Sequence, residues 1–167
     1  MTLDGLKALS VRQPWAWALI HAGKNVENRG PVAIRHMKLR KGDRIAIHAA
    51  RGMTQWEYDY AVAFMRQINV IDCPHARDLV RGAIIGSVRV EDVVTRSFSK
   101  WFMGPRGIIV SDPHPCEPIP AVGALGLFTW TPGGELAAPA KWMLPDQQPK
   151  ALVEEVATLF PDAKAAR

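Results

Sequence analysis

The run GAIIGSVRVEDVV, Gly82 to Val94, constrains this chain more than any other stretch. A strand this apolar cannot stand alone, because its backbone groups need neighbouring strands and its side chains need a cover. Gly86 inside it marks a bulge or a close approach of another backbone. Several neighbours are readable. KALSVRQP gives a short strand in which Leu9 and Val11 alternate with Ser10 and Arg12, until Pro14 stops it. DRIAIHAA sends Ile45, Ile47 and Ala49 to one side and Arg44, Ala46 and His48 to the other. RGIIVSD and GALGLFTW supply two more short strands, and between them DPHPCEPIP holds four prolines, which predict neither helix nor central strand.

Two helices precede the long strand. Pro14 suits a first helical turn, Trp15, Ala18, Leu19 and Ala22 fall on one apolar face, and Gly23 is a natural left-handed terminator. Thr54 and Glu57 form a T-x-x-E capping box opening a helix with the stripe Ala61, Phe64, Met65 and Ile68. The segment from Asn69 to Arg81 reads as a loop. Five or six short strands with two helices predict an α+β fold: a small, strongly curved sheet or barrel with helices covering its openings.

From Thr131 the chain turns rich in Pro and Gly, and PKALVEEVATLF then gives an amphipathic helix with Leu152, Val153, Val156, Leu159 and Phe160 on one face. Residues 131–167 therefore read as an extension whose helix packs on the core or offers a handle to a protein partner. No apolar run is long enough to cross a bilayer, and MTLDGLKALS lacks a signal-peptide pattern, so a cytoplasmic protein with no membrane partner is expected. Cys73 and Cys116 lie far apart with no C-x-x-C pairing. The mirror pairs Cys73-Pro-His75 and His114-Pro-Cys116 have the ligand types of a zinc site but the wrong spacing, so neither metal nor cofactor is expected.

Charge singles out two places. The net charge of +5 favours anionic partners weakly. Locally, RHMKLRKGDR gathers Arg35, Lys38, Arg40 and Lys41 around one acid, Asp43; it is either a solvated loop before a strand or an edge that holds a nucleic-acid backbone. Directly behind the first helix, Lys24, Glu27 and Arg29 follow within six residues. If Asn25 to Arg29 is extended, Asn25, Glu27 and Arg29 share a face. They either pair on the surface or converge with Lys24 on a small polar ligand, with Trp15 as a wall.

The ordered set SVRQPWAWALIHAGKNVENR, KGDRIAIHAA and SKWFMGPRGIIV…EPIPAVGALGLFTW resembles the ASCH family over roughly Ser10 to Trp130. The resemblance implies a PUA-like small β-barrel with flanking helices over residues 1–130. It implies a cleft lined by Lys24, Glu27 and Arg29 and a link to RNA, nucleotides or modified nucleobases. Some small members look like amidohydrolases acting on N4-acylated cytidine, and others have been proposed as ribonucleases. This sequence departs from the family pattern in placing glycine one residue before the lysine, at Gly23, and in placing Glu27 where the hydrolytic members keep a hydroxyl nucleophile.

The leading expectation is thus a module binding RNA or a nucleotide. The alternative is a hydrolase with Lys24 and Glu27 as the essential pair and Glu91 as a second carboxylate. His48, on the polar side of its strand, is expected either to reach the cleft or to be a structural histidine. Lys100 and Trp101, in SKWFMG, offer either phosphate contact and base stacking or an anchor for their loop.

Overall fold

The computed structural model describes residues 3–144. In chain order these form β1 (Ala8–Val11), α1 (Trp15–His21), β2 (Val26–Arg29), α2 (Pro31–Met37), β3 (Arg44–Ala49), α3 (Gln55–Gln67), β4 (Ala83–Val94), β5 (Arg106–Pro120) and β6 (Leu127–Phe128). The six strands make one curled half-barrel sheet in the order β2-β5-β4-β3-β1-β6, an α+β arrangement with three helices. Only β1 and β3 run parallel; the other neighbours are antiparallel. Among the described residues no helix is long and apolar enough to cross a membrane.

The long run behaves as its composition demands. β4 pairs with β3 on one side and β5 on the other, and its register against β5 shifts between Ile84 and Gly86, Ser87 and Arg89, and Val90 and Asp92. Each shift adds local twist, and together they curl the sheet. At Gly86 the partner backbone comes so close that a Cβ would lie 2.6 Å from the His114 carbonyl oxygen and 2.9 Å from Ile20 Cδ1. Glycine is required there by space.

Helix α1 lies between the sheet and α3. Ala16, Leu19 and Ile20 join the main core with Leu9, Ile47 and Ile108, while Ala18 packs with Val26, Ala61, Met65 and Trp101 in a second cluster. Two buried faces explain why the stripe Trp15, Ala18, Leu19 and Ala22 understated this helix: Ala16 and Ile20 are buried as well. The capping box at α3 forms as the sequence indicates, with Thr54 accepting from the Glu57 backbone and Glu57 accepting from Thr54.

Three places go beyond or against expectation. Residues 31–37 are a helix, α2, beyond the two expected, and its end runs into the stretch from Arg35 read as a loop or an edge; Pro31 opens it, and Ala33, Ile34 and Met37 pack on the core behind the basic residues. DPHPCEPIP, expected to be neither helix nor central strand, is an edge strand, the second half of β5. That half pairs with β4 alone, because β2 reaches only Arg106–Ile109, and an edge tolerates prolines that cannot donate to a second neighbour. β4 and β5 are also not short, at 12 and 15 residues.

Residues 131–144 pack on the core. Ala137 N–H donates to the Arg81 carbonyl, Arg81 donates to the Ala138 carbonyl, and Met143 joins Met53, Ala76 and Leu79. The helix expected at Leu152–Phe160 lies outside the described residues.

Candidate ligand-binding site

The corner between α1 and β2 is built by its glycine. Gly23 has φ +66°, turning the chain sharply, and the Lys24 N–H donates back to the Ala18 carbonyl at 3.0 Å. Gln13 fixes the other end of α1, accepting from the Trp17 N–H at 2.9 Å and donating to the Val80 carbonyl at 2.7 Å. The helix is therefore held at both termini, and its end aims Lys24 inward.

Lys24 Nζ donates to Glu27 Oε2 at 2.8 Å and to the Val26 carbonyl. Arg29 Nε stands 3.0 Å from Glu27 Oε1, but its N–H is out of line for a hydrogen bond. Another Arg29 nitrogen donates to the Ser10 carbonyl of β1 at 2.6 Å. One carboxylate is thus flanked by two cations, and the lysine and glutamate side chains are only 1% and 9% exposed. Removing charges this far from water is costly unless they are compensated, and here Lys24 and Glu27 are paired and hydrogen-bonded to each other. Among the described residues Oε1 of Glu27 accepts no aligned hydrogen bond, and the cation beside it is Arg29 Nε at 3.0 Å.

Beside this chain of charges lies a hollow of about 90 Å³ lined by Trp15, Lys24, Glu27, Asn28 and Met103. The Trp15 ring centre is 6.0 Å from Lys24 Nζ, within cation–π range, and the ring packs T-shaped against Phe64. Asn28 locks the far wall, donating to the Trp101 carbonyl and accepting from the Met103 N–H, each at 2.8 Å. The hollow is well under the roughly 300 Å³ of a typical small-ligand pocket. It has room for one edge or substituent of a planar ligand.

The other expected site residues are placed elsewhere. Glu91 accepts from Ser111 and lies 2.9 Å from Arg89, and these contacts, chiefly the Ser111 hydroxyl, hold its carboxyl below the usual range. It is no part of the Lys24–Glu27–Arg29 chain, so it gives the hollow no second carboxylate. His48 does not reach the hollow either; it is buried, bonded to Ser10 and the Ala121 carbonyl. Trp101 is buried against Phe64 in the second cluster and is the anchor of its loop, not a stacking face; the exposed aromatic there is Phe98, which the sequence reading passed over. Lys100 beside it is exposed.

Arg35, Lys38, Arg40 and Lys41 are all exposed. Lys38 and Arg40 line a groove of about 590 Å³ with Lys7, His36 and Arg44, in which Asp43 is the one acid among the lining residues. Asp43 accepts from the Arg40 N–H at 2.8 Å, and Arg44 is bound to Asp112. Arg35 and Lys41 stand outside the lining.

Among the described residues no group of three or more His, Cys, Asp or Glu is placed to hold a metal ion. Cys73 packs in the second cluster and Cys116 near Ile84, so the two Cys/His pairs are not brought together. Asn28, Met103 and Gln13 were missed as site residues. Asn28 sits inside the quoted motif, but nothing in the sequence shows that it clamps a loop some 75 residues on. No protein-family model and no curated protein matches this chain.

Proposed function

We propose that this protein is an ASCH-type, PUA-like module that binds RNA or a nucleotide, reading a base or modified base at the Lys24–Glu27–Arg29 hollow. One observation carries the reading: a buried carboxylate, flanked by Lys24 and Arg29 and with no aligned hydrogen bond on its Oε1, lines a hollow that has a tryptophan wall. An exocyclic amino group would donate to Glu27 Oε1, while the base plane lies against Trp15. The hollow admits only such an edge, and the sugar and phosphates would remain outside. The groove of Lys7, Lys38 and Arg40 offers phosphate contacts, which would be salt-sensitive through counterion release.

The test is titration of a short labelled single-stranded RNA at several salt concentrations, with and without competing nucleosides. Salt-dependent binding relieved by a nucleoside supports the reading; no binding at low salt contradicts it.

Hydrolysis of an N4-acylated cytidine is the second reading, favoured by the direct 2.8 Å contact between Lys24 and Glu27, across which a proton can pass. Water would add to the amide carbonyl, losing a proton to Glu27, and the amino group would leave protonated by way of Lys24. Binding ranks first because the ammonium and carboxylate already satisfy each other. Incubation with N4-acetylcytidine, followed by absorbance, separates the two: turnover lost in Lys24→Ala establishes hydrolysis, and equal inertness removes it.

A further inference from the structure

We infer that Ser10 and His48 form a second site, distinct from the Lys24 hollow, in which the serine hydroxyl is an acylatable nucleophile for small apolar esters. His48 Nε2 lies 3.0 Å from the Ala121 carbonyl, and a carbonyl oxygen only accepts, so Nε2 carries the proton. In the neutral ring Nδ1 is then bare. It lies 2.9 Å from Ser10 Oγ, so the hydroxyl donates to it. Burial depresses the imidazole pKa, outweighing the Ala121 hydrogen bond that raises it, and so keeps the ring neutral and able to take a proton. A positioned base on a serine hydroxyl, with the base held by a third group, is the arrangement that activates a nucleophile.

The pair opens on a pocket of about 340 Å³, of the size that holds a small ligand, whose lining includes Ser10, His48, Ala50, Arg51, Val122 and Leu125. Val122 and Leu125 are exposed, which fits an apolar acyl group more than a sugar. Arg51, whose guanidinium donates to the Glu135 carbonyl, puts a cation in the lining that favours negative charge developing in the pocket. Gly123 runs against the pair: a Cβ there would lie 2.8 Å from Ser10 Oγ and 2.5 Å from His48 Cε1. Glycine leaves that space open.

The chemistry balances with water as the only co-reactant. Ser10 Oγ bonds to the ester carbonyl carbon while its proton moves to His48 Nδ1. The C–O bond to the alcohol breaks, and the alcohol leaves with that proton. Water then adds to the acyl-serine, again through Nδ1, releasing the carboxylic acid and restoring the hydroxyl. A neutral carbonyl behind His48 stabilises the transient imidazolium less than a carboxylate would, so activated esters are the expected substrates.

The experiment treats the full chain with p-nitrophenyl acetate and, separately, with a fluorophosphonate probe, and maps the adduct by peptide mass. The expected result is one adduct per chain on Ser10, with p-nitrophenol release falling at least ten-fold in Ser10→Ala and in Gly123→Ala. Mapping of the wild-type adduct decides the matter even if a variant fails to fold. Absence of an adduct, or an adduct on a lysine or on Cys73 or Cys116 with Ser10 unmodified, overturns the inference. Either outcome leaves the nucleotide reading untouched, because that reading uses neither side chain.

Discussion

Lys24 Nζ and Glu27 Oε2 meet at 2.8 Å with almost no contact with solvent. Breaking such a pair leaves a charge buried without its partner, which costs about 3–5 kcal/mol. Lys24→Ala is therefore expected to destabilise the fold by that amount in chemical denaturation, and Glu27→Ala by a similar amount. The double variant Lys24→Met/Glu27→Leu is expected to lose far less than the sum. Additive losses would show that the pair is not coupled.

Trp101 and Phe98 sit three residues apart with opposite roles. Trp101 is 7% exposed and Phe98 fully exposed. Trp101→Ala is expected to cost about 3–5 kcal/mol as a large core truncation, and Phe98→Ala to stay within about 0.5 kcal/mol. Thermal melts of the two variants check this, and equal shifts would contradict it.

Gly86 touches the opposite strand where a Cβ would meet a carbonyl oxygen. Gly86→Ala is expected to destabilise by about 1–3 kcal/mol, the usual cost of overfilling a packed site. Gly30→Ala, with open space around it, is the control and is expected to leave the melting temperature nearly unchanged.

The cap of α3 brings a pH dependence. Burial works to raise the Glu57 pKa, but hydrogen bonds from the Thr54 backbone and hydroxyl, with the charge of Arg12, lower it overall. A carboxyl depressed in the folded state contributes stability above its unfolded pKa, and that contribution is lost as pH falls through the folded value. Thr54→Ala is expected to cost about 1 kcal/mol at neutral pH and progressively less below about pH 4, measured by melts across pH 3–7. A cost that is flat across that range would contradict the account.

Much of this architecture was legible in the sequence, for identifiable reasons. The period of two in DRIAIHAA gave its two faces, though both are buried, Ile45, Ile47 and Ala49 in one cluster and Ala46 in another. Gly86 and the T-x-x-E box are local rules that the tertiary structure left alone. What escaped depended on partners distant in sequence. The prolines of β5 argue against a central strand, and that the segment is an edge follows only from the pairing with β2 ending at Ile109. Helix α2 was hidden because seven residues make only about two turns of stripe, and its charges read as loop or edge. At the site, Lys24, Glu27 and Arg29 were visible as a spacing, whereas Asn28 and Met103 take their roles from a loop brought in by the fold. His48 was on the right face of its strand but meets Ser10, a residue that only the parallel pairing of β1 and β3 sets beside it.

Lys38 and Arg40 carry the prediction for the basic groove. Removing both is expected to lower the salt slope of single-stranded RNA binding by about 1.4, at about 0.7 per phosphate contact, with little change in stability. An unchanged slope would place the backbone contacts elsewhere.

The central claim is that the Trp15–Lys24–Glu27 hollow takes the edge of a base, and Met103 at its wall gives direct access to it. Met103→Trp should fill the hollow while leaving the buried charges intact. Calorimetric titration with cytidine, N4-acetylcytidine and adenosine is the decisive measurement. The account predicts that wild type binds at least one of them and that Met103→Trp, equally stable, loses that affinity at least ten-fold. Equal affinity in both proteins, or no binding by wild type, would contradict it.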